Sequence, residues 1–432
     1  MRDNASDRNS LPGSDDIVRE VLPNGVVVLV RENFASQSVV INGSLKVGTV
    51  FEPPEKAGLS NLVASALMRG TKSRDFDTIH ETLEGIGASL GIGGGVHSSS
   101  FSGKSLGEDL PVLLDVLSDA LREPAFPVDQ VERLRGEILT SLRIRKQDTR
   151  AVAYETFLGL AYPPAHPYSR STSGRIEAVS QITLDEMTAF HARYYGPQRL
   201  VVVIVGAVKA ADAIAQVRSA LGDWTNPDQP EWPDLVEVRP MQEVCREAVA
   251  VPGKTQSDIV LGWPGPSRYE PDYHAARLAN NILGVFGMMG RLGKTVREDQ
   301  GLAYYSGSRL NGGMGPGAWY VSSGVNPANV TLAVDSIRHE IERIVSEPVS
   351  EEDLADNQAN FTGQLPLQLE SNEGVAGSIL NIETFDLGID YLRTYPDLIN
   401  SITRAQVQAA AQKYLSPTAF ALAIAGPELN GH

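Results

Sequence analysis

"ITLDEMTAFHARYYGPQRLVVVIVG", residues 182–206, returns as "ITRAQVQAAAQKYLSPTAFALAIAG", residues 402–426, at a constant offset of 220 residues. Thr183 matches Thr403, Tyr194 matches Tyr414, Pro197 matches Pro417, and a closing Gly206 matches Gly426. In each copy the Thr reads as the N-cap of a helix that ends near the Tyr. The Pro that follows ends the helix and leads into an apolar β-run. An ordered series of matches at one spacing is the mark of a duplication, so the chain divides into two repeats of about two hundred residues, the size of ordinary domains.

The boundary falls in "NPDQPEWPDLVEVRP", Asn226 to Pro240, where four prolines and several acids describe a stiff, exposed connection. The expected organisation is a disordered polar tail over 1–16, a first domain over 17–225, a linker over 226–240 and a second domain over 241–432. Each half opens with strands. "LPNGVVVLVREN" has an Asn24-Gly25 turn feeding a β-run, and "SVVINGSLKVG" alternates as a half-buried strand should. Helical patterns follow, such as "DLPVLLDVLSDALRE" and "VTLAVDSIRHEIERIV". Strands followed by helices within each half predict an α+β fold: two homologous sandwich-like repeats, each with helices on one face of a mostly antiparallel sheet.

Composition narrows the function classes. The 432 residues carry 37 Lys and Arg against 53 Asp and Glu, a formal net charge of −16. Nucleic-acid binding needs clustered, unopposed cations, so this balance argues against such a partner. It suits a well-solvated surface, or an interior that attracts basic peptides. No apolar run is long enough to span a bilayer, and "MRDNASDRNSLPGSDD" has no apolar segment of signal-peptide type, so the cytoplasm is the expected compartment. Cys245 is the single cysteine, which leaves neither an intrachain disulfide nor a cysteine zinc knuckle.

"GLSNLVASALMRGT", Gly58 to Thr71, has the stripe of a buried amphipathic helix: Leu59, Leu62, Val63, Ala66 and Leu67. Asn61 and Ser65, four apart, share one face, the spacing at which two histidines would grip a metal, with Ala64 between them. The seven histidines are His80, His97, His166, His191, His274, His339 and His432, and no two lie three or four apart. His166 in "HPYS" has the chemistry of a base, but the segment reads better as a surface loop. "GIGGGV", Gly91 to Val96, lacks the ending of a phosphate loop and reads as a glycine-softened strand.

Taken together, "LPNGVVVLV", "AGLSNLVASALMRGT", "HPYS" with "ITLDEM" and "YY" downstream, and "GRLGKTVREDQGLAY" resemble, in this order, the M16 (pitrilysin or insulinase) metallopeptidases. The resemblance runs from about Ile17 to Pro427 and is nearest to small bacterial members and mitochondrial-processing-peptidase subunits. It implies an M16 peptidase-like fold forming half of a clamshell. It also implies an inverted zinc motif, His-x-x-Glu-His, whose first His falls on Asn61, whose catalytic Glu falls on Ala64 and whose second His falls on Ser65. The third ligand falls on Ser141 and its supporting Glu on Leu134. An amide, a methyl and hydroxyls make no zinc site, and Ala64 takes no proton from water. The expectation is therefore no metal and no cofactor in this chain, with zinc in a partner.

Two further segments acquire a meaning from the same resemblance. The strand around Gly91–Val96 corresponds to an edge on which a peptide adds as a further strand. In "VREDQGLAYYSG", Arg297 and Tyr304 correspond to a pair that binds substrate backbone and stabilises the tetrahedral intermediate, since a guanidinium and a phenol are donors for an oxyanion. Taken alone, Arg297 reads as half of a surface ion pair and Tyr304 as strand packing. "LGVFGMMGRLGK", Leu283 to Lys294, reads either as a flexing, glycine-punctuated loop or as a helix connection with Met288 and Met289 in the core. The expected function is a non-catalytic, substrate-binding subunit of a two-chain peptidase, pairing with an M16 homologue that carries His-x-x-Glu-His. The alternatives are a structural core subunit with no part in proteolysis, and an autonomous enzyme using other residues.

Overall fold

The computed structural model describes residues 11–428. The first sheet contains β1 (Ile17–Val21), β2 (Val27–Glu32), β3 (Ser38–Leu45), β4 (Ser89–Gly94), β5 (Ser99–Leu106) and β6 (Val201–Gly206), in the order β1-β2-β6-β3-β5-β4. The second contains β7 (Cys245–Ala250), β8 (Ser257–Pro264), β9 (Ala303–Leu310), β10 (Ala318–Val325) and β11 (Ala421–Gly426), in the order β7-β11-β8-β10-β9. Without β1 the two orders are the same. The orientations agree as well: β2 with β6 and β7 with β11 are the parallel pairs, and all other pairs are antiparallel. The duplication is thus a duplication of topology, and the mostly antiparallel α+β architecture is as expected.

The repeated sequence block builds the same unit twice. Thr183 and Thr403 cap the helices Leu184–Tyr194 and Arg404–Tyr414, each in a capping box, with Glu186 and Gln406 reaching back to the cap backbone. The strands that follow, β6 and β11, are buried at every position. A strand buried at every position must be covered on both faces. β3 is likewise buried at six of its eight positions, so it is an interior strand and not the half-buried one that its alternation suggested. Asn24-Gly25 turns the chain between β1 and β2, with Gly25 at φ +91°.

The covering helices do not follow the linear halves. Among the described residues, one compact unit comprises 11–140, 172–234 and 364–396, and the other comprises 141–171, 235–363 and 397–428. The 17–225 and 241–432 repeats therefore exchange a segment. In the first unit, Val375, Ala376 and Ile379 of the Asn372–Thr384 helix pack on Val201, Val203 and Val205 of β6. In the second, Ala153, Phe157, Leu158 and Ala161 of the Thr149–Ala161 helix pack on Ala421, Ala423 and Ala425 of β11. These two strand faces are equivalent in the repeat. The valine face takes a helix with alanine at its centre, and the alanine face takes one with phenylalanine.

The 226–240 linker has no helix or strand, and none of its residues is buried. Residues 1–10 of the expected tail lie outside the described residues. Residues 11–16 are held rather than frayed: Arg393 donates to the Leu11 carbonyl, Ser14 N–H donates to Asp390, and Arg31 pairs with Asp16.

Candidate functional site

The Leu59–Ala66 helix begins at Gly58, whose φ of +106° is open to glycine and strained for other residues. Its first free backbone donors are taken by a buried carboxylate: Glu52 accepts from Gly58 N (3.1 Å) and Ser60 N (3.0 Å). Leu59, Leu62, Val63, Ala66 and Leu67 are buried, as the apolar stripe requires. Asn61 and Ser65 are half-buried on the remaining face, and Ala64 is fully buried. Against this helix lies β4. A Cβ added to Gly94 would stand 3.1 Å from the Asn61 Cα and 3.2 Å from the Ala64 Cβ, so helix and strand meet almost backbone to backbone. On the Val128–Arg145 helix, Leu134 is buried in the core and Ser141 is exposed to solvent.

β4 ends its sheet and pairs with β5 alone. Gly91 and Gly93 face open space. The strand therefore offers one row of free backbone groups with little side-chain cover, the geometry in which an extended peptide can add.

In the second unit Arg297 lies on a wide helical turn, Gly293–Asp299, of i to i+5 hydrogen bonding. Gly301, at φ +63°, reverses the chain, with Gly301 N–H donating to the Arg297 carbonyl and Leu302 N–H to the Val296 carbonyl. Tyr304 follows on β9, the edge strand of its sheet, and is 70% exposed. A packing tyrosine would be covered, and this one is not. Among the described residues the Arg297 guanidinium is in no ion pair, so the surface-pair reading does not describe it either. No contact joins the two side chains to one another; they stand in successive elements of one reversal.

The Leu283–Lys294 segment holds four consecutive residues at positive φ: Gly287 (54°), Met288 (50°), Met289 (83°) and Gly290 (63°). Met288 is 63% and Met289 38% exposed, so neither fills the core as the helix-connection reading required. His166 is also placed differently from expectation. It is fully buried, not on a surface loop; its Nδ1 accepts from Tyr168 N–H, and its ring stacks on Tyr162 at 5.5 Å. Burial, and then the Arg170 charge, lowers its pKa to about 4, so it stays neutral.

Comparison with known proteins places this geometry. Residues 27–160 match the family described as insulinase (peptidase family M16), and residues 181–361 match the peptidase M16 inactive domain. The chain belongs to peptidase family M16. An uncharacterized zinc protease of Streptomyces coelicolor is 25% identical to it over 427 residues, covering 97% of this chain and 89% of that protein. A probable mitochondrial-processing peptidase subunit beta of Arabidopsis thaliana is 24% identical over 279 residues, 64% of this chain and 52% of that one. The crystal structure of a peptidase M16 inactive domain from Pseudomonas fluorescens superposes with a TM-score of 0.87 at 23% identity, covering 95% of this chain and 98% of that one. A protease from Helicobacter pylori superposes at 0.88 with 18% identity, covering 96% and 100%.

Zinc is the metal this family implies. Zinc takes imidazole, thiolate or carboxylate donors in a closed set, and at the positions assigned by resemblance this M16 chain presents an amide, a buried methyl and two hydroxyls. Those residues do not fit the ion. Among the described residues no three His, Cys, Asp or Glu side chains converge in a way that could hold a metal elsewhere. Among the same residues no helix is long and apolar enough to cross a membrane.

Two groups at these sites escaped sequence reasoning. Glu52 caps the helix from six residues upstream of Gly58, too far for any capping-box pattern. Arg150 and Tyr154 line one cavity with Arg309 and Tyr320, but the two pairs are distant in sequence, and no local signal joins them.

Proposed function

We propose that this M16 chain is the non-catalytic, substrate-binding subunit of a heteromeric zinc peptidase. It pairs with an M16 homologue that carries His-x-x-Glu-His, in the cytoplasm. The observation that carries the reading is the contrast between its two centres. The Asn61, Ala64 and Ser65 side chains supply neither a zinc donor set nor a base, whereas Arg297 is half-buried with no ion-pair partner among the described residues and Tyr304 is 70% exposed on an edge strand. A scaffold has no use for an uncovered phenol and an unpaired guanidinium in successive elements of one chain reversal. A peptide carbonyl gaining negative charge has use for both, because each donates a hydrogen bond to it. The open edge of β4 adds a surface on which a peptide backbone can be held.

The test is reconstitution with a zinc-bearing M16 homologue. Joint elution and a gain in peptidase activity on mixing are expected. Arg297→Ala and Tyr304→Phe should each lower kcat/KM by roughly a hundredfold or more, since one preorganised oxyanion donor contributes about 3 kcal/mol. Arg297→Ala should also raise KM, whereas Tyr304→Phe should act on kcat alone. A double variant that assembles normally and cleaves at the unmodified rate overturns the proposal.

A further inference from the structure

The second unit contains a cavity of about 680 Å3 that the Arg297 and Tyr304 pair does not use. It lies between the N-terminal part of the Thr149–Ala161 helix and the strands β9 and β10. Tyr320 of β10 and Tyr154 of the helix line it, their rings 4.9 Å apart. Arg150, whose guanidinium lies 4.0 Å from the centre of the Tyr305 ring, lines it from the helix, and Arg309 lines it from β9. The volume falls within the usual range of a ligand pocket.

Its charge is unusual for this chain. Acids outnumber bases 53 to 37, yet among the described residues neither Arg150 nor Arg309 is in an ion pair. Two carboxylates lie nearby. Asp258 is buried and already satisfied, accepting from Tyr305, Thr149 and Gln256. Asp148 lines the cavity itself, but it is engaged as the helix cap, accepting from Ala151 N–H. Burial holds Tyr154 up at about 12 and Tyr320 above its usual value, so both phenols keep their protons at neutral pH. Tyr154 accepts from Asn311, which leaves its own proton free to donate. Asn280, nine-tenths buried, also lines the cavity, and its amide oxygen lacks a donor.

We infer that this cavity is a subsite for a peptide carboxylate, held between Arg150 and Arg309 with Tyr154 donating to it. The inference rests on the reading that this chain holds peptide, and it names a chemistry that reading left open. Guanidinium and phenol donors suit any oxyanion. That the oxyanion is a peptide's carboxylate follows from the reading that this chain holds peptide, not from the cavity donors themselves. The carboxylate can belong to an acidic side chain or to a C-terminus, and the two are separable.

The experiment measures binding of three fluorescently labelled Ala/Ser peptides to the full-length chain without a partner. One carries a central Glu and a free C-terminus, the second has Gln in place of that Glu, and the third keeps the Glu but is C-terminally amidated. Removing the recognised carboxylate should weaken binding roughly tenfold or more, as expected for loss of a charge-assisted pair. Loss with the Gln peptide assigns an acidic side chain, and loss with the amidated peptide assigns a C-terminus; either supports the subsite. Arg309→Gln, on an exposed position of β9, should erase the discrimination while leaving the melting temperature unchanged. Arg150→Gln should do the same, with circular dichroism checking that Tyr305 and the helix stay in place. Equal affinity for all three peptides, or discrimination that survives both substitutions, overturns it. Because no partner is present, this outcome is independent of whether the heteromeric peptidase assembles.

Discussion

His166 shows how a residue with catalytic chemistry can be a structural one. Its ring is sealed between Tyr162 and Tyr168 beside Arg170, and its pKa falls to about 4. In the unfolded chain the ring titrates near 6.5, so above that pH both states are neutral and the native state keeps its full stability. As pH falls from 6.5 towards 4 the unfolded chain takes up the proton first. The native state then loses stability, up to about 3 kcal/mol from this residue. His274, lowered to about 3 first by burial and then by Arg277, works in the same direction. His166→Asn keeps an oxygen to accept Tyr168 N–H but cannot be protonated. Urea titrations at successive pH values should show a shallower loss of stability between pH 6.5 and 4 for this variant, on a lower baseline from the lost stacking. An unchanged slope would show that the ring is not the titrating group. Residue identity announced the histidine, but its burial depended on aromatic neighbours that local patterns do not bring together.

At the scale of elements, the two capping boxes are where local sequence was most directly readable. Thr183 accepts from Glu186 N–H and Thr403 from Gln406 N–H, each within three residues, so the signal is contained in the segment itself. Thr183→Ala and Thr403→Ala should each cost about 1 kcal/mol in denaturant unfolding. The two caps share no partner, so their effects should add in the double variant. A much smaller cost would mean that packing of the helices outweighs their caps. β4 was legible in two steps: its glycines read as a softened strand, the family resemblance implied an edge, and it stands at the sheet edge. The Leu283–Lys294 segment was not legible, because exposed methionines at positive φ contradict the preferences of their own residue type.

The molecule as a whole depends on the exchange of helices between repeats. A fragment of residues 1–225 lacks the Asn372–Thr384 helix that covers β6, and one of residues 241–432 lacks the Thr149–Ala161 helix that covers β11. Each would leave a valine or alanine face in water, and a face of that kind promotes aggregation. Expressed separately, both halves should be insoluble or lack near-ultraviolet circular dichroism, and co-expression should restore a soluble, cooperative complex. Two halves that fold alone with native spectra would show that the exchanged helices are accessory. The repeat, the α+β class and family membership could be read without coordinates, because they reside in residue identity and in spacings of a few residues, and the family resemblance then pointed to positions 61, 64, 65 and 141. Which sheet each exchanged helix covers, and the cavity that Arg150 and Arg309 share, were decided only by the tertiary structure. An apolar stripe states that a face must be buried; the partner that buries it is set by matching volumes across segments hundreds of residues apart.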